Sequence, residues 1–155
     1  MNITAITNKK QAETVFNELC QKWKTLLEFF EQPEDDSSKP ILERVKTYAD
    51  IERISGTVLT KRDGETADEF AYRQVKLIAQ VYNEGTQLDP MDTNQYKYYP
   101  WHKIDKNSGS GLSSDDFGSW STTSAVGVRL CFKSAEFAID AGTKFIDIYS
   151  QLKIK

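Results

Sequence analysis

The sequence predicts an α+β fold, in which a helical N-terminal half is followed by a small antiparallel β-hairpin packed on a C-terminal helix. Apolar residues recur at helical spacing near both ends of the chain. Between these segments, aromatic residues alternate with lysines over residues 96–103, which is typical of a strand. The 155 residues include 39% hydrophobic and 12% aromatic side chains, so the chain can bury a core and is not mainly disordered.

The N-terminal segment has the clearest helical pattern. Asn8 is placed to cap this helix and Pro33 to stop it. Residues 33–40 are acidic, begin and end with proline and carry no large apolar side chain, which indicates an exposed linker. We therefore predict an amphipathic helix over residues 1–32, then this linker, then an α+β module over residues 41–155. The apolar face, which must meet the rest of the chain or another protein, comprises Val15, Phe16, Leu19, Cys20, Trp23, Leu26, Leu27 and Phe30.

Capping patterns predict where the helices of the module begin. Thr47 and Asp50 form a capping box with Asp in the usual place of Glu, and Gly56 is placed to end the short helix that follows. Thr66 and Glu69 form the standard box for a longer helix. Two helices are therefore expected before the strands.

Two strands are predicted to form the hairpin. Residues 95–104 favour the first strand, in which Pro100 marks an edge position or a bulge because proline has no N–H to donate. Residues 125–132 favour the second strand, since their apolar side chains alternate. Residues 107–120 are rich in Ser, Gly and Asp, so we expect a flexible loop there. The last helix is expected to begin at Ser134 as its N-cap.

Composition narrows the functional classes. The net charge of −3 and the pI of about 5.3 are not those of a typical nucleic-acid-binding domain, although a local basic patch is compatible with them. Cys20 and Cys131 lack metal-binding spacing and lie in apolar patterns, so we expect buried thiols in a reducing compartment. No apolar run is long enough for a signal peptide or a membrane span, so we expect a cytoplasmic protein with no membrane partner.

The side chains offer little support for catalysis. His102 is the only histidine, so no Ser-His-Asp or Cys-His arrangement is identifiable, and a packing or surface role for this ring is favoured over that of a lone base. Two cysteines and one histidine match no zinc spacing. Asp89, Asp92 and Asn94 offer oxygen ligands, but they lack the EF-hand order and are better interpreted as turn formers. Residues 109–111 lack the phosphate-binding glycine pattern, and we therefore expect a non-enzymatic protein with no cofactor and no metal.

The aromatic–basic run is the strongest candidate for a binding site. Rings interleaved with lysines could stack on bases and contact phosphates, form a protein-binding face, or pack within the fold. In the packing interpretation Tyr98 and Ile104 face the core, whereas the outer side is formed by Lys97, Tyr99, Trp101 and Lys103. Aromatic residues in the following loop favour a protein interface. The candidate binding residues are Tyr96, Lys97, Tyr99, Trp101, His102, Lys103, Lys106, Phe117, Trp120 and Arg129.

Four segments after residue 44 carry a family resemblance. They are VKTYAD at 45–50, YRQVKLIA with NEG at 72–85, QYKYYPW at 95–101, and RLCFKS with AGTKF at 129–145. Together they are similar to a family of short, uncharacterised proteins of Bacteroidetes phages and mobile elements. The chain departs from this family at His102, where an aromatic residue is more usual, and at Val128, where a small polar residue is more usual. The resemblance implies a phage or mobile-element protein with an exchangeable N-terminal segment, acting in the bacterial host cytoplasm.

This setting and the missing catalytic groups favour an interaction protein that antagonises a host defence system, such as an anti-CRISPR or another anti-defence inhibitor. Its expected partner is a host protein or ribonucleoprotein, with RNA as a candidate ligand. An RNA- or DNA-binding module that uses the aromatic–basic strand is the first alternative. A virion structural component is the second, and a small hydrolase is the least favoured. The sequence leaves the oligomeric state open.

Overall fold

The computed structural model describes residues 9–29, 36–105, 107, 112–121 and 127–152. The chain divides into two units, Met1–Ser38 and Lys39–Lys155. In the first unit the described structure is one helix, α1 (Lys9–Phe29), where the sequence predicts a helix. The predicted cap Asn8 and stop Pro33 lie outside the described residues.

The second unit begins with three helices, and the last two of these start at the predicted capping boxes. The Asp50 carboxylate accepts the Thr47 N–H at 2.9 Å, and Gly56 ends the helix with a φ of 65°, which glycine adopts without steric cost. In the second box the Glu69 carboxylate accepts the Thr66 N–H at 2.8 Å, and the Glu69 N–H donates to Thr66 Oγ1 at 3.4 Å. The three helices are α2 (Ile41–Arg44), α3 (Tyr48–Ser55) and α4 (Ala67–Tyr82).

An antiparallel hairpin follows, formed by β1 (Lys97–Ile104) and β2 (Leu112–Trp120). On the other side of β1, Phe132 forms an isolated bridge with Tyr98. The Tyr98 N–H donates to the Phe132 carbonyl at 3.1 Å, and the Phe132 N–H donates back at 2.7 Å. The hairpin is therefore joined along one edge to the segment that precedes the C-terminal helices.

This arrangement explains why Pro100 is tolerated within β1. The main-chain groups of Tyr98 point towards Phe132 and away from β2. Because main-chain direction repeats every two residues along a strand, the main-chain groups of Pro100 also point away from β2. The N–H that proline lacks is therefore not needed for the hairpin. The register shifts only after Trp101: Trp101 pairs with Asp116 and His102 with Ser114, so the extra residue, Asp115, belongs to β2, and the bulge considered for Pro100 does not lie there.

The predicted position of the second strand is wrong. The sequence favours residues 125–132, but β2 occupies the segment expected to be a flexible loop. Gly127 has a φ of 78° and Val128–Leu130 form a 3₁₀ turn, so only Phe132 of the predicted strand pairs with β1, while residues 125 and 126 lie outside the described structure. β2 is rich in Ser and Asp, which have low strand propensity, and its pairing with the aromatic β1 stabilises it instead.

The core of the second unit is centred on Tyr82, which is fully buried. Its ring meets those of Phe132, Phe137 and Phe145 edge to face, with centroid distances of 5.7, 5.9 and 6.4 Å. The Tyr82 hydroxyl donates to Asp140 Oδ2 at 2.6 Å, which satisfies this buried polar group. Burial, followed by the hydrogen bond to the Asp140 carboxylate and its charge, raises the pKa of Tyr82 far above its ordinary value.

The C-terminal segment forms two helices, α5 (Ala135–Lys144) and α6 (Ile146–Ser150), instead of the single helix expected. Ser134 caps α5 as predicted, accepting the Phe137 N–H at 3.3 Å. The break falls at Phe145, which is buried and has φ −111° and ψ 26°. Helices, hairpin and C-terminal helices together confirm the α+β class. No helix in the described part of the chain is both long and apolar enough to cross a membrane.

Asn83 ties the end of α4 to the segment that carries the hairpin bridge. This buried amide donates through Nδ2 to the Cys131 carbonyl and accepts the Lys133 N–H through Oδ1, both at 2.9 Å. The two bonds fix the main chain on either side of Phe132. Because Phe132 bridges to Tyr98, Asn83 also fixes the position of β1 relative to the core.

Candidate functional site

At the start of β1, Lys97 is a structural residue and not part of an exposed binding surface. Lys97 is 0% exposed, although the sequence places it on the outer side of the strand. Its Nζ donates to the Asp92 carbonyl at 2.5 Å and lies 5.7 Å from the centroid of the Trp120 ring, the cross-strand partner of Lys97. These contacts compensate the ammonium group for its lost water. Lys97 is therefore unable to contact a phosphate on the surface, and Trp120, which is half-buried, covers it.

The loop before β1 brings the Asp92 carbonyl to Lys97. Within this loop the Met91 N–H donates to Asp89 Oδ1 and the Asn94 N–H donates to Asp92 Oδ1, both at 2.8 Å. The predicted turn-forming role of the two aspartates is confirmed. Within the described residues, no group of three or more His, Cys, Asp or Glu side chains is arranged to hold a metal ion.

Cys131 lies near the same buried end of the hairpin. The thiol donates to the Gly127 carbonyl at 3.4 Å, and burial raises the pKa of Cys131 from 9.0 to about 11, although Trp120 and the Lys97 charge oppose this shift. The predicted buried thiol is confirmed for Cys131. It is wrong for Cys20, which is partly exposed on α1.

The middle of β1 is held by a close approach across the hairpin. Tyr99 pairs with Gly118, and a Cβ atom built on Gly118 would lie 2.3 Å from Cζ of the Tyr99 ring. The ring therefore lies directly over the glycine. Tyr99 is half-buried and serves mainly to pack the two strands together.

His102 packs on the C-terminal helices. The centroid of its ring lies 4.9 Å from that of the Tyr149 ring. Nε2 lies 3.2 Å from the Gly142 carbonyl oxygen, which accepts a hydrogen bond in the tautomer that carries its proton on Nε2. Among the described residues the buried Tyr149 hydroxyl has no hydrogen-bond partner, and burial raises the pKa of this phenol. The surroundings of His102 favour the packing role over that of a general base.

Three rings form a continuous exposed surface, which we call the aromatic face: Tyr96, Tyr98 and Phe117. The ring centroids of Tyr96 and Tyr98 are 6.2 Å apart, and those of Tyr98 and Phe117 are 5.6 Å apart. Tyr96 is 52% exposed and Phe117 36% exposed, while Tyr98 between them is partly buried against the core. Tyr98 is absent from the sequence-based candidates, although its two-residue spacing from Tyr96 indicates a shared side of the strand.

The other candidates are spread around the hairpin. Trp101 is 50% exposed and pairs with Asp116 across the strands, on the opposite side of β1 from Tyr98. Lys103 and Arg129 are exposed, whereas Lys106 lies outside the described residues. The structure thus brings Tyr96 and Phe117 together through Tyr98 and, separately, places Lys97 beside Trp120. The described candidates do not form one continuous aromatic and basic surface.

Ile104 shows where the packing interpretation fails. The sequence places Ile104 towards the core with Tyr98, yet Ile104 is 83% exposed. His102, two residues before Ile104, still packs on Tyr149, so the alternation of β1 continues past the register shift. Alternation therefore predicts the side of the strand that Ile104 occupies but not its burial, because Ile104 is the last residue of β1.

A second surface feature lies beside the start of α4. It is an open depression of about 640 Å³ lined mainly by charged side chains, among them Asp63, Asp68 and Glu69. Arg73 pairs with the Glu65 carboxylate across it at 2.8 Å. The Arg62 N–H, which donates to Glu65, and then the Arg73 guanidinium lower the pKa of that carboxyl group. The ion pair with Arg73 engages Glu65, and the cap of α4 engages Glu69, so the depression is a weaker candidate than the aromatic face.

Comparisons of the chain with protein-family models, curated proteins and solved structures gave no match. The geometry of the described residues is therefore the main basis for assigning a function.

Proposed function

We propose that this protein is a non-enzymatic interaction module that binds a partner protein through the aromatic face. The strongest support is the exposure of neighbouring rings. Tyr96 and Phe117 are 52% and 36% exposed, although both contact the half-buried ring of Tyr98. Large rings supply much of the binding energy of protein interfaces and cluster at their centres. A surface of this kind fits a protein partner.

The rings of the aromatic face indicate the chemistry of that partner. Asp116 is exposed and its carboxylate accepts the N–H of Phe117 at 2.8 Å, but it pairs with Trp101 and therefore belongs to the opposite side of the hairpin. The complementary surface is therefore expected to be apolar at its centre.

Nucleic acid fits this face less well than protein. Lys97, the lysine closest in sequence to these rings, is enclosed by the fold. The ring planes are tilted by 31° between Tyr96 and Tyr98 and by 59° between Tyr98 and Phe117, so they do not form the parallel platform on which successive bases stack.

The state of the reactive side chains supports a non-enzymatic role. The Cys131 thiol is buried and its pKa of about 11 keeps it protonated at neutral pH, which makes it a poor nucleophile. His102 lies against Tyr149 and the main chain of α5, with no acidic partner among its described contacts. Neither group is arranged for covalent or acid–base catalysis.

The resemblance to Bacteroidetes phage and mobile-element proteins supplies the proposed setting. In that setting the partner is a host protein or ribonucleoprotein, and binding through the aromatic face blocks a defence process in the host cytoplasm. An anti-CRISPR or another anti-defence inhibitor is the form of this activity that we favour. Steric occlusion of a host surface requires no catalytic group, which agrees with the side chains described above.

Affinity purification from a Bacteroidetes host tests the proposal. Tagged wild-type protein is recovered with and without nuclease treatment, beside a Tyr96→Ser/Phe117→Ser variant and a Tyr72→Ser control, whose ring on α4 is similarly exposed at 46%. We expect one stoichiometric protein that survives nuclease, is lost from the double variant and is kept by the control. Equal recovery by the double variant, or recovery of nucleic acid alone, contradicts the proposal.

A further inference from the structure

The outer edge of β2 has no neighbouring strand within the described part of the chain. The sheet consists of β1 and β2, and the bridge through Phe132 lies on the far side of β1. One row of main-chain groups of β2 therefore faces outwards, in a segment where Asp116, Phe117 and Ser119 are exposed. An open edge of this kind can accept a further strand through main-chain hydrogen bonds.

The pairing with β1 shows which main-chain groups of β2 face outwards. The main-chain groups of Tyr98 point away from β2, so Tyr98 and its partner Ser119 form a pair without mutual hydrogen bonds. Ser119, and Phe117 two residues before it, therefore direct their N–H and C=O groups to the open edge. The Phe117 N–H donates to the Asp116 carboxylate at 2.8 Å, which agrees with an N–H that the pairing with β1 does not use.

We propose that the partner adds an extended strand to this edge of β2, so that its main chain pairs with Phe117 and Ser119. The identity of the partner rests on the proposed function, and the open edge adds the form of the segment that is bound. The Phe117 ring belongs to the aromatic face, so a strand at this edge lies directly beside that face. The regular part of β2 after the register shift, residues 116–120, has a usual length for strand pairing.

The two sides of β2 determine which side chains this strand carries. Phe117 and Ser119 lie on the side of the aromatic face, whereas Asp116 and Gly118 lie on the other side. A paired strand therefore places an apolar side chain beside the exposed Phe117 ring and a basic one beside the exposed Asp116 carboxylate. Pairing also replaces the Asp116 carboxylate at the Phe117 N–H by a main-chain carbonyl, which releases the carboxylate for that basic side chain.

A second copy of the chain fits this edge less well than a strand of another protein. The sequence of β2 is LSSDDFGSW, which contains two aspartates and no basic residue. Pairing of two β2 strands therefore brings like charges together without a cation to compensate them, and such charges on an edge strand oppose self-pairing. The occupant is an extended segment of another protein in which apolar and basic residues alternate.

An NMR titration with a synthetic strand tests the open edge without the host partner. The probe is a heptapeptide of alternating lysine and valine with blocked ends, added to isotope-labelled full-length protein. We expect the amide signals of Phe117 and Ser119 to shift and their hydrogen exchange to slow. A glutamate–valine peptide should bind about tenfold more weakly, because its charges repel Asp116.

The matched control is the lysine–valine peptide with an N-methylated main chain, which keeps the side chains but loses the main-chain donors. We expect this peptide to leave the amides of Phe117 and Ser119 unchanged, because it cannot pair as a strand. No change at these amides with up to millimolar lysine–valine peptide, or an equal response to the N-methylated form, overturns the proposal.

Ser119→Pro tests the same edge from the side of the protein. It removes an outward N–H and leaves the bonds between β1 and β2 in place, as Pro100 does in β1. We expect this variant to keep the wild-type far-UV circular dichroism and to lose the response to the lysine–valine peptide, whereas Ser119→Ala should respond as wild type. If Ser119→Pro does not fold, the N-methylated peptide makes the same comparison on the wild-type protein.

Purification from the host separates a failure of strand addition from a failure of the proposed function. We expect Ser119→Pro to lose the protein that wild type captures. If Ser119→Pro keeps this protein while Tyr96→Ser/Phe117→Ser loses it, the partner binds the aromatic face and strand addition is wrong. If the lysine–valine peptide binds as expected but wild type captures no host protein, the proposed function is wrong and the edge of β2 remains a strand-binding site.

Discussion

The two halves of β1 have the same kind of sequence and opposite structural roles. In the first half, Lys97 is enclosed and Tyr99 lies over Gly118. In the second half, Trp101 and Ile104 are 50% and 83% exposed. Aromatic and basic residues are mixed in both halves, so residue type does not separate them. The neighbours do: a loop, Trp120 and the bridged segment enclose the first half, whereas the second half packs on the C-terminal helices through His102 and leaves Trp101 and Ile104 exposed.

Replacing each lysine of β1 with glutamate should give the largest difference in the free energy of unfolding between the two halves. Lys97→Glu places an uncompensated carboxylate in a buried site facing a carbonyl oxygen, so we expect the free energy of unfolding to fall by about 3–5 kcal/mol. Lys103→Glu changes an exposed side chain and should alter it by less than about 0.5 kcal/mol. Urea denaturation followed by far-UV circular dichroism measures both. Similar losses for the two variants would show that Lys97 is not enclosed.

Alkaline pH should destabilise the buried end through Cys131. Because burial raises the pKa of this thiol from 9.0 to about 11, the unfolded chain releases the proton first as the pH rises. The contribution of the protonated thiol to the free energy of unfolding is therefore fully present below pH 9. It is lost between about pH 9 and pH 11, a change of about 2 kcal/mol. Buried tyrosines lose stability in the same range, so the measurement is the difference between wild type and Cys131→Ala. Parallel pH profiles for the two proteins would contradict the assigned burial.

Gly118 should be intolerant of any side chain. Gly118→Ala forces the new methyl group against the Tyr99 ring, and we expect a loss of about 1–2 kcal/mol in the free energy of unfolding. The neighbouring Ser119→Ala, at an exposed position, is the matched control and should cost less than about 0.5 kcal/mol. Combining Gly118→Ala with Tyr99→Ser should remove most of the specific penalty. A penalty that persists without the ring would assign the effect to the main chain.

The aromatic face should contribute least to stability and most to binding. Tyr96→Ser should change the free energy of unfolding by no more than about 0.5 kcal/mol, because its ring is already half in solvent. The same substitution should weaken partner capture at least tenfold, which corresponds to about 1.4 kcal/mol of binding free energy. Thermal unfolding and quantitative capture, measured on the same preparation, check the pair of values. A variant that loses both would show that Tyr96 supports the fold.

Local sequence rules predict the parts of this fold that depend on local contacts. The capping boxes at Thr47 and Thr66 and the serine cap at Ser134 appear where expected, because each requires hydrogen bonds within four residues. Local rules do not predict β2, because its Ser- and Asp-rich sequence becomes a strand only by pairing with β1.

The candidate site is predicted in location but not in detail. The run from Tyr96 to Lys103 contains the exposed rings, yet the burial of Lys97 depends on Trp120, which is distant in sequence. The contact between Tyr98 and Phe117 depends on the register of a strand that the sequence does not reveal. Long-range pairing thus decides which aromatic and basic residues remain available to a partner.

Site-specific photo-crosslinking in a Bacteroidetes host tests the central claim most directly. A photoreactive phenylalanine analogue replaces Tyr96, Phe117 or, as the control, Tyr72, one position at a time, and irradiated cells are examined by mass spectrometry. We predict that positions 96 and 117 cross-link to the same host protein and that position 72 does not. Cross-links from 96 and 117 to nucleic acid alone, or to no macromolecule, would contradict the assignment of the aromatic face as a protein-binding site.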